Sequence, residues 1–354
     1  MRIALISTPF AAVPPQAYGG TELIVYELAE GLVARGHDVT LYATGDSQTT
    51  ANLKFIYPVA AWPPDPFVDL NHVSWAYQDA MASGFELIHA HSTTALALGR
   101  MAPRIPLVYT IHHDRQERIT NYYRQFPQVW YVTISADQSV RQAPLRRSAM
   151  IHHGLDAGRF SWTEEPGEYA VFIGRLAEEK GPHTAIDAAA LAGVPIRVAG
   201  EVHPPDRAFA RAEVEPRLAL PHVTYLGNIG LATKVPLLRD ARAVLVPITW
   251  HEPFGLIIIE AMLSGCPVLG FPMGSVPELV EPAVTGYVVR DVQEMADLLR
   301  PGSVLDRFDR RRCRAHAMQR FGRARLVAEH EALYARVIAD VGERRPRLAP
   351  VPAA

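Results

Sequence analysis

Short apolar runs alternate with helical patterns over the first 150 residues of the chain. The runs cover residues 2–8, 39–43, 87–90, 107–111, 129–134 and 149–152. Runs of this length between turn residues are typical of strands that are buried in a parallel sheet. Between the first two runs, Leu23, Leu28 and Leu32 follow helical spacing, and Gly36 closes the helix. This alternation predicts a doubly wound α/β domain.

The pattern lapses and then restarts near residue 160. Residues 154–168 contain the glycine, glutamate and proline residues typical of an interdomain linker. Strand-like runs return at residues 169–173, 196–199, 223–226, 243–246 and 268–269, and a helix is predicted from Pro182. We therefore predict two Rossmann-like domains, at residues 1–160 and 161–335, joined by a linker. The Arg-rich final helices could pack back on the first domain, and residues 343–354 are predicted to form a frayed tail.

Composition narrows the class of protein. A length of 354 residues fits two domains, and 35 basic against 37 acidic residues leave a net charge of −2. Nucleic acid is therefore not the expected partner. The two cysteines cannot build a disulfide framework, and no stretch approaches the ~20 apolar residues that span a bilayer. We expect a cytoplasmic protein without a signal peptide or stable membrane insertion. The oligomeric state stays open.

The densest chemical signal lies at residues 251–262, where a strand is followed by a helix. Glu252 and Glu260 stand eight residues apart, with Phe254, Gly255 and Leu256 between them. If Glu252 lies in the loop and Glu260 on the helix, they flank unsatisfied backbone amides of the kind that bind anions. A carboxylate on an apolar helix needs strong hydrogen bonds. Sugar hydroxyls could supply them for Glu260, and an arginine from another helix is the alternative.

A second signal lies in the loop at residues 174–181, between a strand and a helix. Arg175 and Lys180 both fall in this loop, at the strand end where α/β sheets bind ligands. Arginine offers a bidentate fork for phosphate and lysine a compact charge. Lysine is rare here, since only Lys54, Lys180 and Lys234 occur. Two solvated loop charges are the alternative interpretation.

Other patterns carry less information. His89 and His91 could lie on one side of a strand end, but no third ligand stands at a telling spacing, so no metal site is expected. The Arg-rich C-terminus lacks interleaved aromatic residues and is better explained by solvated helix faces than by nucleic-acid binding. Residues 104–147 carry seven basic and three acidic side chains, which leaves a preference for an anionic acceptor open.

The two loops together resemble glycosyltransferase family 4, whose members are retaining enzymes of GT-B architecture. The matching segments are Glu252 to Met262, Gly265-Cys266-Pro267-Val268, Gly274 with Pro277-Glu278-Leu279-Val280, Gly174 to His183, and Tyr18-Gly19-Gly20-Thr21-Glu22. They span both predicted domains. Within the family, the pattern is most similar to the branch of avilamycin biosynthesis. The resemblance implies two Rossmann-like domains that face each other across a cleft.

The resemblance also implies roles for individual residues on the donor side. Arg175 and Lys180 would hold the diphosphate of a nucleotide-sugar. Glu260 would accept hydrogen bonds from the ribose hydroxyls, and Glu252 would face hydroxyls of the donor sugar. The backbone amides of Phe254, Gly255 and Leu256 would lie beside that sugar.

The N-terminal domain would contribute the acceptor side and two further contacts. Gly20 would let the backbone approach the phosphates. His112 matches the family's histidine near the reacting sugar, although His113 is the alternative because successive residues of a strand point in opposite directions.

The implied reaction is the transfer of a sugar, with retention, from a nucleotide-sugar to a small-molecule or oligosaccharide acceptor, in natural-product or polysaccharide biosynthesis. A UDP-sugar is the first expectation for the donor. No cofactor and no metal are expected, since the chain contains no Asp-x-Asp sequence. Two other functions are weighed against this one: a nucleotide-sugar epimerase on a related two-domain fold, and a non-catalytic module that binds sugar nucleotides.

Overall fold

A computed structural model of the protein describes residues 1–16, 19–101, 105–165 and 167–344. These residues contain two parallel sheets. The strands of the first are β1 (Arg2–Ile6), β2 (Asp38–Tyr42), β3 (Asn52–Lys54), β4 (Leu87–Ala90), β5 (Leu107–Thr110), β6 (Trp130–Thr133) and β7 (Ser148–Met150). The strands of the second are β8 (Ala170–Ile173), β9 (Ile196–Ala199), β10 (Val223–Tyr225), β11 (Ala243–Val246), β12 (Val268–Gly270) and β13 (Gly286–Val288).

Helices connect these strands. The α-helices are α1 (Gly20–Ala34), α2 (Pro66–Ser83), α3 (Thr94–Met101), α4 (Glu117–Tyr123), α5 (Ala136–Arg141), α6 (Pro182–Ala192), α7 (Arg207–Phe209), α8 (Glu215–Leu218), α9 (Leu231–Arg239), α10 (Leu256–Leu263), α11 (Val276–Leu279), α12 (Val292–Leu299), α13 (Arg310–Phe321) and α14 (Arg323–Arg344). A π-helical segment, Ala210–Val214, joins α7 to α8. Short 3₁₀ turns lie at Ala157–Arg159, Glu178–Lys180, Pro204–Asp206 and Val304–Arg307.

Strand order fixes where each half of the chain can bind a ligand. The first sheet runs β3-β2-β1-β4-β5-β6-β7 and the second β10-β9-β8-β11-β12-β13. In each sheet the chain order reverses beside the first strand, between β1 and β4 and between β8 and β11. Ligands of open α/β sheets bind in the crevice that opens at such a reversal, beyond the carboxyl ends of the strands. The predicted site loops after β8 and β11 flank the second reversal.

The predicted strands all occur, with ends within two residues of the expected ones. The sequence pattern missed β3 and β13, because Asn52-Leu53-Lys54 has a single apolar residue and the short β13 begins with Gly286. The predicted tail is partly wrong, since Glu343 and Arg344 still belong to α14. The rest of that tail, residues 345–354, lies outside the described residues.

The final helix returns to the first half of the chain. Leu326, Tyr334 and Val337 of α14 belong to the same apolar cluster as Leu28 and Leu32 of α1. Glu27 of α1 is fully buried, and its carboxylate pairs with Arg159 after the first sheet and Arg323 at the start of α14. Burial raises the pKa of Glu27 despite these two guanidinium partners. One ionic cluster therefore ties α1, the connection between the sheets and the final helix together.

Candidate active site

The loop after β8 presents two cations at the carboxyl edge of the second sheet. The guanidinium of Arg175 pairs with Glu179 and lies 3.5 Å from the carboxylate of Asp206. A single 3₁₀ turn then carries Lys180 and ends at Gly181, whose φ of +70° places it in the left-handed region. A side chain at Gly181 would meet the carbonyl of Pro247, the residue that follows β11. The glycine therefore lets the two loops approach each other.

The loop after β11 brings Glu252 to the same place. The ammonium of Lys180 pairs with the Glu252 carboxylate and lies 4.6 Å from the ring centre of Trp250. Gly255, with φ of +81°, precedes the first residue of α10, so Glu252 lies in the loop as predicted. Gly255 and Ile257, at the start of α10, line one small cavity together with Lys180 and Glu252. Arg175, Lys180, Glu252 and the start of α10 thus form one polar site.

Glu260 lies on α10 and is only 3% exposed. Its carboxylate accepts a hydrogen bond of 2.6 Å from the ammonium of Lys234 on α9. Glu260 therefore has an ionic partner on another helix, as in the alternative interpretation, but the partner is a lysine and not an arginine. Sequence reasoning missed Lys234 as a site residue. Its only signal was the rarity of lysine in the chain.

The two halves of the chain meet at two helix N-termini. Gly20 is the first residue of α1, and a Cβ built on it would lie 3.3 Å from Leu256 Cδ1 at the start of α10. The structure therefore places Gly20 next to the start of α10. Nearby, Glu22 is buried, accepts a hydrogen bond from the Thr8 hydroxyl, and has its pKa raised by burial.

The two candidate histidines have different surroundings. Both ring nitrogens of His113 are engaged, since they lie 2.7 Å from the Asp114 carbonyl oxygen and 2.7 Å from the Tyr123 hydroxyl. His112 Nε2 lies 2.8 Å from His91 Nδ1. The His112 ring stacks on His153 at 5.4 Å. The ring centres of His153 and Phe254 lie 4.9 Å apart, so His112 is connected through His153 to the loop after β11.

His112 belongs to a buried cluster of histidines. The members are His89, His91, His112, His153 and His330. Burial lowers the pKa of every member, to about 3 for His112 and about 4 for His330. These rings are therefore neutral at physiological pH. The cluster therefore places polar but uncharged side chains beside the N-terminal part of the site.

Glu278 connects the two halves from α11. Its carboxylate accepts hydrogen bonds of 2.9 and 2.8 Å from the Ala136 N–H at the start of α5, and it also pairs with His152. Burial alone would raise the pKa of Glu278, but these hydrogen bonds outweigh it, and the pKa is lowered. In the sequence, Glu278 stands out only as part of a motif, because its contact with Ala136 spans 142 residues.

Two family models match adjoining parts of the chain. One, described as glycosyl transferases group 1, matches residues 157–301, and the other, described as glycosyltransferase family 4, matches residues 18–159. Together they cover most of the sequence. The chain belongs to glycosyltransferase family 4. This glycosyltransferase takes its sugar from a nucleotide-sugar donor, and the epimerase and non-catalytic alternatives are set aside.

Individual proteins agree with this assignment. The glycosyltransferase is 28% identical to glycogen synthase of Mycobacterium tuberculosis over 369 aligned residues, which cover 86% of each chain. The structure of AviGT4, a glycosyltransferase involved in avilamycin A biosynthesis, is 22% identical with a TM-score of 0.74 and covers 96% of this chain and 98% of its own. HepE of Anabaena, in complex with UDP-glucose, is 21% identical with a TM-score of 0.73 and covers 95% of this chain and 100% of its own.

These likenesses confirm the predicted GT-B fold. None of the helices that the structure describes is long and apolar enough to cross a lipid bilayer. The roles expected for the individual site residues stay predictions.

Proposed function

We propose that the protein is a retaining glycosyltransferase with a UDP-sugar as donor. The observation that carries the proposal is the convergence of Arg175, Lys180 and the start of α10 at the chain reversal of the second sheet. Cations and helix amides in this position stabilise the negative charge of a departing nucleoside diphosphate. UDP is favoured because HepE, a structural neighbour of the same fold, was solved with UDP-glucose.

The donor occupies the site as follows in this proposal. Arg175 and Lys180 bind the diphosphate, which competes with their present carboxylate partners. Glu260 accepts hydrogen bonds from the ribose, and the ammonium of Lys234 donates to the same carboxylate. Glu252 and the amides of Phe254, Gly255 and Leu256 face the donor sugar.

Transfer takes place on one face of the sugar. The bond between the anomeric carbon and the phosphate oxygen breaks, and the bond from the acceptor oxygen forms on the same face. A phosphate oxygen of the leaving group takes the acceptor proton, so no protein nucleophile is needed. Gly20 lets the backbone approach the phosphates, and His112 faces the reacting sugar from the N-terminal side.

The proposal extends to the setting of the reaction. The N-terminal domain, residues 1–160, holds the acceptor, and the second domain, residues 161–335, holds the donor. A role in natural-product or polysaccharide biosynthesis, antibiotics included, is consistent with the fold shared with AviGT4. A cytoplasmic location is proposed because both cysteines are unpaired thiols.

A thermal-shift panel of UDP, GDP, ADP and dTDP with their sugars tests the donor, because a bound ligand raises apparent stability. Calorimetry then measures affinity for the best diphosphate. Arg175→Ala and Lys180→Ala should each weaken binding by about 1.5–3 kcal/mol, and Glu260→Ala should weaken the nucleoside part. Arg290→Ala, at a side chain that is 84% exposed, is the matched control. Wild-type affinity in all three site variants would overturn the proposal. An inverted anomeric centre in the product, seen by NMR, would contradict retention.

A further inference from the structure

A cavity of about 480 Å³ opens beside His112 on the N-terminal half. Its walls come from the loops after β1, β4 and β5 and from the first turn of α2. This volume falls in the range of small-molecule sites, about 300–1,000 Å³. Thr21, in the cavity wall, adjoins Gly20, which contacts the start of α10. A molecule in this cavity would therefore lie next to the donor side.

The charged groups in the cavity wall are carboxylates. Asp65 and Asp69 line it, and none of the lining residues, all of which the structure describes, is a lysine or arginine. The three lining histidines, His91, His112 and His113, have pKa values lowered by burial and are uncharged at neutral pH. The wall is therefore negative, which disfavours a phosphate or carboxylate group.

The two carboxylate oxygens of Asp69 differ in their hydrogen bonds. Its Oδ2 accepts hydrogen bonds of 2.6 Å from the Ser92 hydroxyl and 2.5 Å from the Thr94 hydroxyl. Its Oδ1 is shielded from solvent and has no hydrogen-bond partner within the described residues. His91 is 5% exposed, and its Nε2 is likewise unpaired there. Unpaired buried polar atoms are costly, and a ligand with hydroxyl or amino groups would satisfy them.

A second cavity of about 330 Å³ lies next to the first, and Phe10 lines both. Trp62, which is 65% exposed, borders it and offers an aromatic face. Asp46 lines it from the first half, and Glu201 and Asn228 line it from the second half. Aromatic faces with carboxylate and amide groups suit a polyhydroxylated molecule that has apolar C–H faces. The two cavities together have room for more than one ring.

Three of the arginines that left an anionic acceptor open in the sequence have partners outside the cavities. Arg115 donates to the Arg141 carbonyl, and Arg141 pairs with Asp114. Arg147 pairs with Asp340 and donates to a backbone carbonyl. Among the described members of this group, none lines either cavity. Arg104 lies outside the described residues.

We propose that these cavities select an acceptor rich in hydroxyl or amino groups and free of phosphate and carboxylate. Asp69 Oδ1 accepts a hydrogen bond from an acceptor hydroxyl or ammonium and thereby determines this specificity. The inference rests on the proposed function, because the cavity is an acceptor site only if a donor binds beside it.

The test uses three disaccharides of one skeleton: trehalose, 2-amino-2-deoxytrehalose and trehalose 6-phosphate. Saturation-transfer NMR measures their affinities for the full chain with UDP present. In Asp69→Asn, the amide oxygen can still accept from Ser92 and Thr94 while the NH₂ group replaces the free oxygen. Asp79→Asn, on the same helix but paired with Lys54 and Tyr42, is the matched control.

We expect the Asp79 variant to bind each of the three sugars as wild-type protein does. In both proteins, trehalose 6-phosphate should bind about fivefold or more weakly than the neutral and amino sugars. Asp69→Asn should weaken the amino sugar about tenfold and reduce discrimination against the phosphate. Tighter binding of the phosphate, identical behaviour of the two variants, or binding of no member of the series would each overturn the inference. UDP affinity, measured in the same samples, should be equal in all three proteins. If wild-type protein binds no nucleoside diphosphate, the proposed function itself fails.

Discussion

Each of the three lysines pairs with one carboxylate, but the three pairs differ in exposure. The Lys54–Asp79 pair has side chains that are 34% and 30% exposed, and the Lys180–Glu252 pair 21% and 14%. The Lys234–Glu260 pair is the most buried, at 18% and 3%. Substituting each lysine by methionine removes the charge and keeps much of the chain length. The three variants therefore form a series in which the burial of the abandoned carboxylate increases. Two further differences are that Lys180 also lies against Trp250 and that Asp79 keeps the hydrogen bond from Tyr42.

The expected losses follow from burial. A surface ion pair contributes about 0–1 kcal/mol. Lys54 and Asp79 form the most exposed of the three pairs, so Lys54→Met should lower the free energy of unfolding by about 1 kcal/mol. Removal of one partner of a buried pair costs about 3–5 kcal/mol, because the other charge stays buried alone. Lys234 keeps some contact with solvent, so we expect about 3 kcal/mol for Lys234→Met. Lys180→Met should fall between the two, at about 1–2 kcal/mol.

Denaturant unfolding followed by circular dichroism measures this series. The double variant Lys234→Met/Glu260→Gln removes the lone buried charge, so it should recover part of the stability that Lys234→Met loses. The reasoning is refuted if Lys234→Met costs no more than Lys54→Met. It is also refuted if the double variant is at least as unstable as the single one, since the unpaired Glu260 charge would then not be the cause.

Three further predictions concern other parts of the fold. The five clustered histidines have lower pKa values in the folded state than in the unfolded chain, so the unfolded chain takes up protons first as pH falls. The free energy of unfolding should therefore decrease below about pH 6.5, by up to about 1.4 kcal/mol per pH unit for each histidine. Equal unfolding free energies at about pH 7 and pH 5.5 would contradict this. Glu278→Ala should lower the free energy of unfolding by about 1–3 kcal/mol, because the Ala136 N–H loses its acceptor. It should also speed proteolysis between the two halves of the chain, and an unchanged rate of proteolysis would count against a connecting role for Glu278. Gly181→Ala should be clearly less stable than Gly193→Ala, since both have positive φ but only the first Cβ would meet a backbone carbonyl, 2.3 Å away; equal melting temperatures would exclude that clash.

The donor-side loops could be predicted because their chemistry is local in sequence. Arg175 and Lys180 follow one strand directly, and Glu252 follows another. The carboxyl ends of parallel strands meet at one edge of a sheet, so the alternation of strands and helices already places the three side chains together. The start of α10 could be predicted equally well, because Gly255 precedes an apolar run.

The sequence could not predict contacts that join distant elements. Lys234 meets Glu260 across 26 residues, and the Glu278 contact depends on how α11 faces α5. The sequence left Glu260 with two interpretations, sugar hydroxyls or an arginine from another helix, and did not point to Lys234. Residue type alone does not reveal which helix lies opposite a buried carboxylate.

The sequence by itself determined the two parallel sheets, the family and the loops that bear the donor-side charges. Periodicity and strand-end motifs involve residues that are close together in the sequence, so they can be recognised without knowledge of the fold. The tertiary structure decided the histidine cluster, in which His89 lies against Tyr334 from 245 residues away, and the cavities beside it. It also decided that Asp69 Oδ1 has no hydrogen-bond partner there among the residues that the structure describes. These features depend on how whole helices and sheets pack, because burial and partnership are properties of the assembled chain.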